Sequence, residues 1–251
     1  MRDSAKVRTP QELEGLDGIV LPGGESTAMG LIGTSGAGNM WEALKEFRGK
    51  KPMWGTCAGM ILLAEKCIGA SAVIENGQAL IGGMDVLVCR NYFGSQISSF
   101  EMPTPPPPGD SDESPFPGVF IRAPAILTAG SDLDILGKVT ATPCRQAAVV
   151  LDELEKRIAK GEDVVMMGVV DALERKEGEG IFFKDVKKES SNESTGSGIS
   201  LPGAADGSTA REVICAVRKG TVLCTAFHPE LTQDTRWHNY FVGMVKQSLN
   251  Q

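Results

Sequence analysis

The stretch 52-PMWGTCAGMILLA-64 joins an apolar strand to an apolar helix through a turn that holds a single cysteine. Residues 52–56 predict a buried strand, residues 58–67 predict a helix, and Cys57 stands between Gly55 and Gly59. A sharp strand-to-helix turn lifts its central residue above the sheet, and small residues two positions away let strand and helix approach closely. The helix N-terminus also favours a thiolate and offers free N–H groups. The spacing predicts a nucleophile elbow with Cys57 as the nucleophile; a buried structural cysteine is the alternative.

A strand–helix pair of the same kind precedes this stretch. Residues 18–22 (GIVLP) predict a buried strand and residues 40–47 (MWEALKEF) a helix, so strand and helix alternate twice. This order predicts an α/β fold with a mostly parallel sheet and helices on both faces. Later segments extend it: β-like alternation at the start of 82–102, a short strand at 119–124, a hairpin over 213–227 and an amphipathic helix over 234–249.

The chain has 251 residues, of which 41% are hydrophobic, and this is enough to build one core. We therefore expect a single domain over residues 1–251. The region at about 145–212 predicts an insertion that begins with a helix, on which Leu151, Leu154 and Ile158 share one face. Its later part is rich in serine, glycine and charge, so we expect a mobile segment there.

Composition excludes several classes of protein. The formal net charge is −7 and no basic stripe stands out, so neither nucleic acid nor a membrane surface is an expected partner. No apolar run reaches the roughly 18 residues of a membrane span, and the N-terminus has no signal-peptide core. The six cysteines show no paired spacing, which indicates reduced thiols in a cytoplasmic protein. With two histidines in the chain, we expect no metal site and no cofactor.

The second informative stretch is 227-FHPEL-231, which follows an apolar strand. The residue before a proline is pushed into extended conformation, so His228 and Glu230 are expected to point the same way. Glu230 can then hold one nitrogen of the imidazole while the other faces a thiol, which is a nucleophile–base–orienter arrangement. A capped turn at a strand end is the alternative. His238 competes for the role of base, but it is predicted to be a partly exposed histidine of the C-terminal helix.

A third stretch, 22-PGGEST-27, closes the first strand. Its two glycines allow the backbone to present an N–H, and Glu25 and Ser26 are expected to start the next helix. The GK[ST] ending of a phosphate-binding loop is missing, which argues against a nucleotide site. A turn capped by Glu25 is the alternative to a binding loop.

Together, PGGEST, WGTCAG, CRNYFGSQ, FIRAP and AFHPEL resemble the class I (triad) glutamine amidotransferases. RNYFGSQISSFE (90–101) and VFIRAP (119–124) narrow the resemblance to the glutaminase subunits of pyridoxal 5′-phosphate synthase. The resemblance covers about 15–145 and 213–249, and it implies a flavodoxin-like three-layer fold. The family's first hydrophobic strand, a GVLALQG-like segment, and the helix after it have no counterpart in this sequence.

The resemblance implies a role for each matching residue. Cys57 attacks the side-chain amide of L-glutamine to form a γ-glutamyl thioester, His228 activates the thiol and protonates the departing ammonia, and Glu230 orients His228. The N–H groups of Gly24 and Ala58 form the oxyanion hole. The ends of the substrate are held by Gly24, Glu25, Ser26, Arg90, Ile121 and Arg122. The ammonia then passes to a ring-building synthase subunit, with which the glutaminase forms a large hetero-oligomer.

Other interpretations remain open from the sequence. One is another triad amidotransferase, such as the glutaminase of histidine biosynthesis, or a related γ-glutamyl hydrolase. Another is a non-catalytic interaction or regulatory subunit of the same complex, because the family's first strand has no counterpart. For Arg90 and Arg122, the residues alone favour an intramolecular or surface ion pair.

Overall fold

The computed structural model describes residues 5–35, 40–69, 79–94, 99–160, 201 and 209–250. Its helices are α1 (Ser26–Ser35), α2 (Met40–Arg48), α3 (Ala58–Leu63), α4 (Arg145–Ala159) and α5 (Arg236–Leu249), and short 3₁₀ turns cover Pro10–Leu13 and Pro229–Leu231. Its strands are β1 (Ile19–Leu21), β2 (Met53–Thr56), β3 (Ala64–Ile68), β4 (Met84–Cys89), β5 (Ser99–Thr104), β6 (Phe116–Ile121), β7 (Ala125–Ala129), β8 (Asp134–Ala141), β9 (Arg211–Lys219) and β10 (Val222–Thr225).

Eight of the described strands form one sheet in the order β1-β2-β10-β9-β7-β4-β3, with β8 paired to β9, while β5 and β6 pair separately. Pairing is parallel in β1–β2, β2–β10 and β3–β4. It is antiparallel from β10 through β9 and β7 to β4, and between β8 and β9. The antiparallel pairing begins where the predicted hairpin at Lys219-Gly220 reverses the chain, with Gly220 in the left-handed region at φ 55°.

Helices cover both faces of this sheet, as predicted. Neighbouring residues of a strand point to opposite faces. The Trp54 ring packs against Phe241 of α5 with 5.5 Å between centroids. A Cβ on Gly55 would instead lie 2.8 Å from the Leu63 side chain of α3. The α/β fold with helices on both faces is therefore confirmed.

The prediction of a helix over residues 58–67 was wrong in its second half. α3 ends at Leu63, and Ala64 is already extended with φ −69° and ψ 149°. The chain continues as β3, which pairs in parallel with β4. An apolar run of this length fits a buried helix or a buried strand equally well by periodicity, and here pairing with a distant strand decides its second half.

The helical start of the predicted insertion is present as α4. Leu151 and Leu154 are fully buried, and Ile158 packs against the core at its edge. Residues 161–200 and 202–208 lie outside the described residues, so the mobility expected there stays a prediction. No helix in the described part of the chain is long and apolar enough to cross a bilayer.

The three parallel strands β1, β2 and β10 position the candidate site. Their register aligns Leu21, Gly55 and Cys224 in one row across the sheet. Because the carboxyl ends of parallel strands meet at one edge, the PGG turn, Cys57 and the segment before His228 emerge side by side.

Candidate active site

The turn at Cys57 has the geometry of a nucleophile elbow. Cys57 adopts φ 47° and ψ −103°, a conformation that non-glycine residues rarely take, and it is 5% exposed. A Cβ on Gly55 would lie 2.6 Å from the carbonyl oxygen of Gly59. A Cβ on Gly59 would lie 2.7 Å from the carbonyl carbon of Leu21, and still closer to its oxygen. Both glycines are required because strand and helix backbones touch at these points.

Hydrogen bonds tie the elbow to the neighbouring strands. The N–H of Cys57 donates to the carbonyl oxygen of Thr225 at 2.8 Å, and the N–H of Gly59 donates to that of Pro22 at 3.2 Å. The N–H of Ala58, the first residue of α3, belongs to the helix N–H groups that have no partner within the helix. These two hydrogen bonds hold Cys57 in its strained conformation. The N–H of Ala58 is the backbone donor next to the Cys57 thiol.

His228 and Glu230 form the hydrogen-bonded pair that the sequence predicts. Glu230 Oε1 lies 2.8 Å from Nδ1 of His228, whose side chain is 10% exposed. The backbone N–H of His228 donates to the carbonyl oxygen of Val119 at 2.8 Å. The pair does not form in the extended chain expected from the sequence: Pro229 begins the short 3₁₀ turn Pro229–Leu231, and this turn brings the Glu230 side chain to the ring. The Cys57 side chain is the second group that acts on this ring, and Nε2 is the ring nitrogen left to interact with it.

The two charged partners stabilise a protonated imidazole. Burial lowers the pKa of His228, but the hydrogen bonds to Cys57 and Glu230 and the charges of both outweigh it and raise the pKa to about 10. For Glu230 the effects are reversed. Burial raises the pKa of Glu230, but the hydrogen bond from His228 and the positive charge of that ring outweigh burial and hold the pKa below its ordinary value. The arrangement therefore favours the protonated form of the His228 imidazole.

A cleft of about 370 Å³ opens in front of these residues. It is lined by Gly24, Glu25, Ser26, Cys57, Ile61, Arg90, Asn91, Ile121, Arg122, Gln146 and His228. Eight of the ten site residues predicted from the sequence line the cleft. Of the other two predicted residues, Glu230 hydrogen-bonds the ring of His228, and Ala58 is not among the lining residues.

Backbone strain is concentrated in this cleft. Among the described residues, the non-glycine residues with positive φ are Cys57, Asn91 (φ 53°) and Arg122 (φ 47°). All three line the cleft. Residues in such conformations cost free energy and cluster at functional sites. The clustering is therefore an argument for function that does not depend on residue identity.

Glu25 and Arg90 interact with the protein itself. The Glu25 carboxylate accepts hydrogen bonds from the N–H groups of Thr27 (3.2 Å) and Ala28 (2.7 Å) at the start of α1. The guanidinium of Arg90, 8% exposed, donates to Thr27 Oγ1 at 3.2 Å and lies 3.7 Å from Glu25 Oε1. Burial raises the pKa of Glu25, but the N–H bonds and the Arg90 charge outweigh it and lower the pKa. Glu25 therefore caps the turn and Arg90 forms an ion pair, as the alternative interpretations of the sequence expected. Both residues nevertheless line the cleft.

Arg122 differs from Arg90. It is partly exposed at the end of β6, and its guanidinium makes no hydrogen bond or ion pair within the described part of the chain. A guanidinium that lines a cleft without such a partner can take a carboxylate in paired hydrogen bonds.

Four residues of the site were not singled out from the sequence. Gln146 enters the cleft from α4, Ile61 from α3 and Asn91 from the turn after β4. Gly23 lies against the ring of His228. For Asn91, the signal was its position next to Arg90 in the RNYFG motif; for Gln146, no pattern in the sequence pointed to a site.

His238 is half-buried in α5 and packs edge-on against Trp54, with ring centroids 5.4 Å apart. It does not line the cleft. No group of three His, Cys, Asp or Glu residues suited to a metal ion occurs in the described ranges. Residues 95–98, which lie within the longer motif RNYFGSQISSFE (90–101), are outside the described residues.

Comparison with known proteins identifies the family. The model of the SNO glutamine amidotransferase family matches residues 1–156. The chain belongs to this family. It is 35% identical over 246 residues to the probable pyridoxal 5′-phosphate synthase subunit PDX2 of Arabidopsis thaliana, covering 96% of this chain and 76% of that protein. It is 34% identical over 245 residues to the pyridoxal 5′-phosphate synthase subunit PdxT of Geobacillus kaustophilus, covering 96% and 82%.

The fold of this glutamine amidotransferase family member also has a counterpart among solved structures. A crystal structure of a glutamine amidotransferase superposes with a TM-score of 0.59 at 25% identity, and the match covers 97% of this chain and 86% of that one. The amidotransferase-like fold expected from the resemblance is confirmed.

Proposed function

We propose that this chain is a glutaminase that hydrolyses L-glutamine to glutamate and ammonia through a thioester on Cys57. The observation that carries the proposal is that Cys57 and His228 line one cleft at the edge of the parallel strands, while Glu230 hydrogen-bonds the ring of His228. The thiol, the base and the group that orients the base are in the order that nucleophilic catalysis needs.

In the first half of the reaction, Cys57 Sγ attacks the carbonyl carbon of the side-chain amide. His228 Nε2 takes the thiol proton and gives it to the departing nitrogen, so the C–N bond breaks and ammonia leaves. In the second half, His228 takes a proton from water, whose oxygen attacks the thioester. The C–S bond breaks, the thiolate regains the proton and glutamate is released.

The oxyanion of each tetrahedral intermediate is stabilised by the N–H groups of Gly24 and Ala58. Support comes from the place of Ala58 at the start of α3 and from Gly24, which lines the cleft with φ 148°. Removing one such donor typically costs about 100-fold or more in kcat.

The two ends of glutamine bind to the polar wall of the cleft. Arg122 takes the α-carboxylate, because its guanidinium has no partner among the described residues. Glu25 faces the α-ammonium with its exposed carboxylate, which Arg90 and the start of α1 hold in place. Ser26 and Ile121 complete this part of the site.

The ammonia is delivered to a synthase subunit that builds pyridoxal 5′-phosphate, and the two proteins form a hetero-oligomer in the cytoplasm. The support is that relatives at 35% and 34% identity carry the name of a pyridoxal 5′-phosphate synthase subunit. The chain acts as a single domain that carries an insertion at about 145–212.

The test is ammonia release from L-glutamine by the purified chain, alone and with the synthase subunit of the same organism. Cys57→Ala should abolish release while the circular dichroism spectrum is retained. Cys67→Ala, a half-buried thiol outside the cleft, is the matched control and should keep activity. Hydrolysis that persists in Cys57→Ala, or complex formation without any hydrolysis by the wild type, contradicts the proposal.

A further inference from the structure

The ring of His228 lies directly on the backbone of Gly23. A Cβ placed on Gly23 would be 2.9 Å from Nδ1 and 3.3 Å from Nε2 of His228, and closer still to Cε1. All three nearest atoms belong to this one ring. The φ of Gly23 lies outside the left-handed region, so the backbone itself would accept alanine. What a side chain at position 23 would meet first is therefore the imidazole.

The ring has little freedom to move away. Its Nδ1 is held by Glu230 at 2.8 Å and its backbone N–H by Val119, and it shares the cleft with Cys57. The residue is 8% exposed. A methyl group on Gly23 must therefore displace the ring from Glu230, from Cys57 or from both.

We infer that Gly23 is a positioning residue for His228, because only a residue without a side chain leaves the imidazole room between Glu230 and Cys57. The two glycines of the PGG turn are then required for different physical reasons. Gly24 adopts φ 148°, which its backbone needs, whereas Gly23 gives space to the base. This inference rests on the proposed function for the role of His228, but the contact itself does not.

The first test compares Gly23→Ala with Gly243→Ala. The control glycine lies in α5, where an added Cβ would have no neighbouring atom within 4 Å. We expect Gly23→Ala to lower kcat about 100-fold with little change in KM for glutamine, since a displaced base affects the chemical step. Gly243→Ala should keep both constants.

A second readout separates a displaced base from a general loss of structure. Iodoacetamide alkylation of Cys57, followed by peptide mass spectrometry, reports how far His228 assists the thiol. We expect the rate at pH 7 to fall about 10-fold in Gly23→Ala, and the difference to close at about pH 10, where a thiol ionises unaided. An unchanged profile at pH 7 would overturn the inference, whatever happens to kcat.

A double-mutant cycle tests the contact without any activity measurement. In wild type, Gly23→Ala should lower Tm by about 5 °C, because overpacking against a fixed ring destabilises the fold. In the His228→Ala background the same change should cost less than about 1 °C, since the atoms that it would meet are gone. Equal losses in both backgrounds, or a double variant that does not fold, would overturn the inference.

The cycle also distinguishes the two proposals. If the wild type does not hydrolyse glutamine, the proposed function fails. Even then, a decrease in Tm from Gly23→Ala that occurs only when His228 is present establishes the contact. If hydrolysis is present and the cycle shows no coupling, the proposed function stands and the role of Gly23 fails.

Discussion

Glu230 Oε1 lies 2.8 Å from Nδ1 of His228, which leaves the other ring nitrogen for the Cys57 thiol. The carboxylate fixes the orientation of the imidazole and keeps a proton on Nδ1. The proposed catalysis and the expected pH dependence of stability both rest on this pair.

Glu230→Gln should lower kcat for glutamine hydrolysis by about 100-fold or more while KM stays nearly constant. A glutamine side chain keeps the shape but removes the charge that stabilises the imidazolium. Steady-state ammonia release is the measurement. Glu212→Gln, on the exposed surface of β9 where the carboxylate pairs with Lys138, is the control and should keep activity. A KM effect without a kcat effect would show that Glu230 acts on substrate binding instead.

Stability should depend on pH through the same pair. The pKa of His228 is raised from 6.5 to about 10, so the folded state holds the proton more tightly than the unfolded state. This stabilisation is complete below about pH 6.5 and is lost as the pH rises through about 10. The lowered pKa of Glu230 works on the acid side, where its contribution is lost as the pH falls below its ordinary value of 4.5.

The measurement for this pair is urea denaturation of wild type and Glu230→Gln from pH 6 to pH 10. The difference in unfolding free energy should be largest near neutral pH and should shrink toward pH 10. A difference that stays constant over this range would contradict the coupling.

Gly59→Ala should destabilise the fold by about 3 kcal/mol, because the new methyl group would clash with the backbone of Leu21. A backbone in a paired strand cannot rotate away as a side chain can. Gly49→Ala is the matched control. Its added carbon would lie no nearer than 3.4 Å to another atom, and we expect a change within about 0.5 kcal/mol. Equal unfolding free energies for the two variants in urea would refute the close approach of strand and helix at the elbow.

Arg122→Ala should raise KM for glutamine about 10- to 100-fold with little change in Tm, since its guanidinium has no partner among the described residues. Arg90→Ala should lower Tm as well, because this buried group holds Thr27 and Glu25. Kinetics and thermal denaturation of both variants separate the two arginines. Identical profiles would contradict the division between a binding and a supporting arginine.

The site residues that come directly after a strand in the chain could be predicted from the sequence. Cys57 and His228 come after apolar strands, and parallel strands bring their carboxyl ends to one edge. The family resemblance added Arg122, whose position after β6 no periodicity pointed to. The local sequence pattern predicted a helix beyond Ala64, but the helix ends at Leu63 because the following residues pair with β4 as strand β3. The local pattern could not reveal Gly23 against His228, because that contact joins residues far apart in the chain.

The most direct test of the central claim is intact-protein mass spectrometry after a rapid acid quench of the chain mixed with glutamine and the synthase subunit. The account predicts a transient γ-glutamyl adduct that peptide mapping assigns to Cys57, together with ammonia and then glutamate. It also predicts that Cys57→Ala forms neither adduct nor ammonia. Ammonia release without an adduct on Cys57, or an adduct on another residue, would contradict the account.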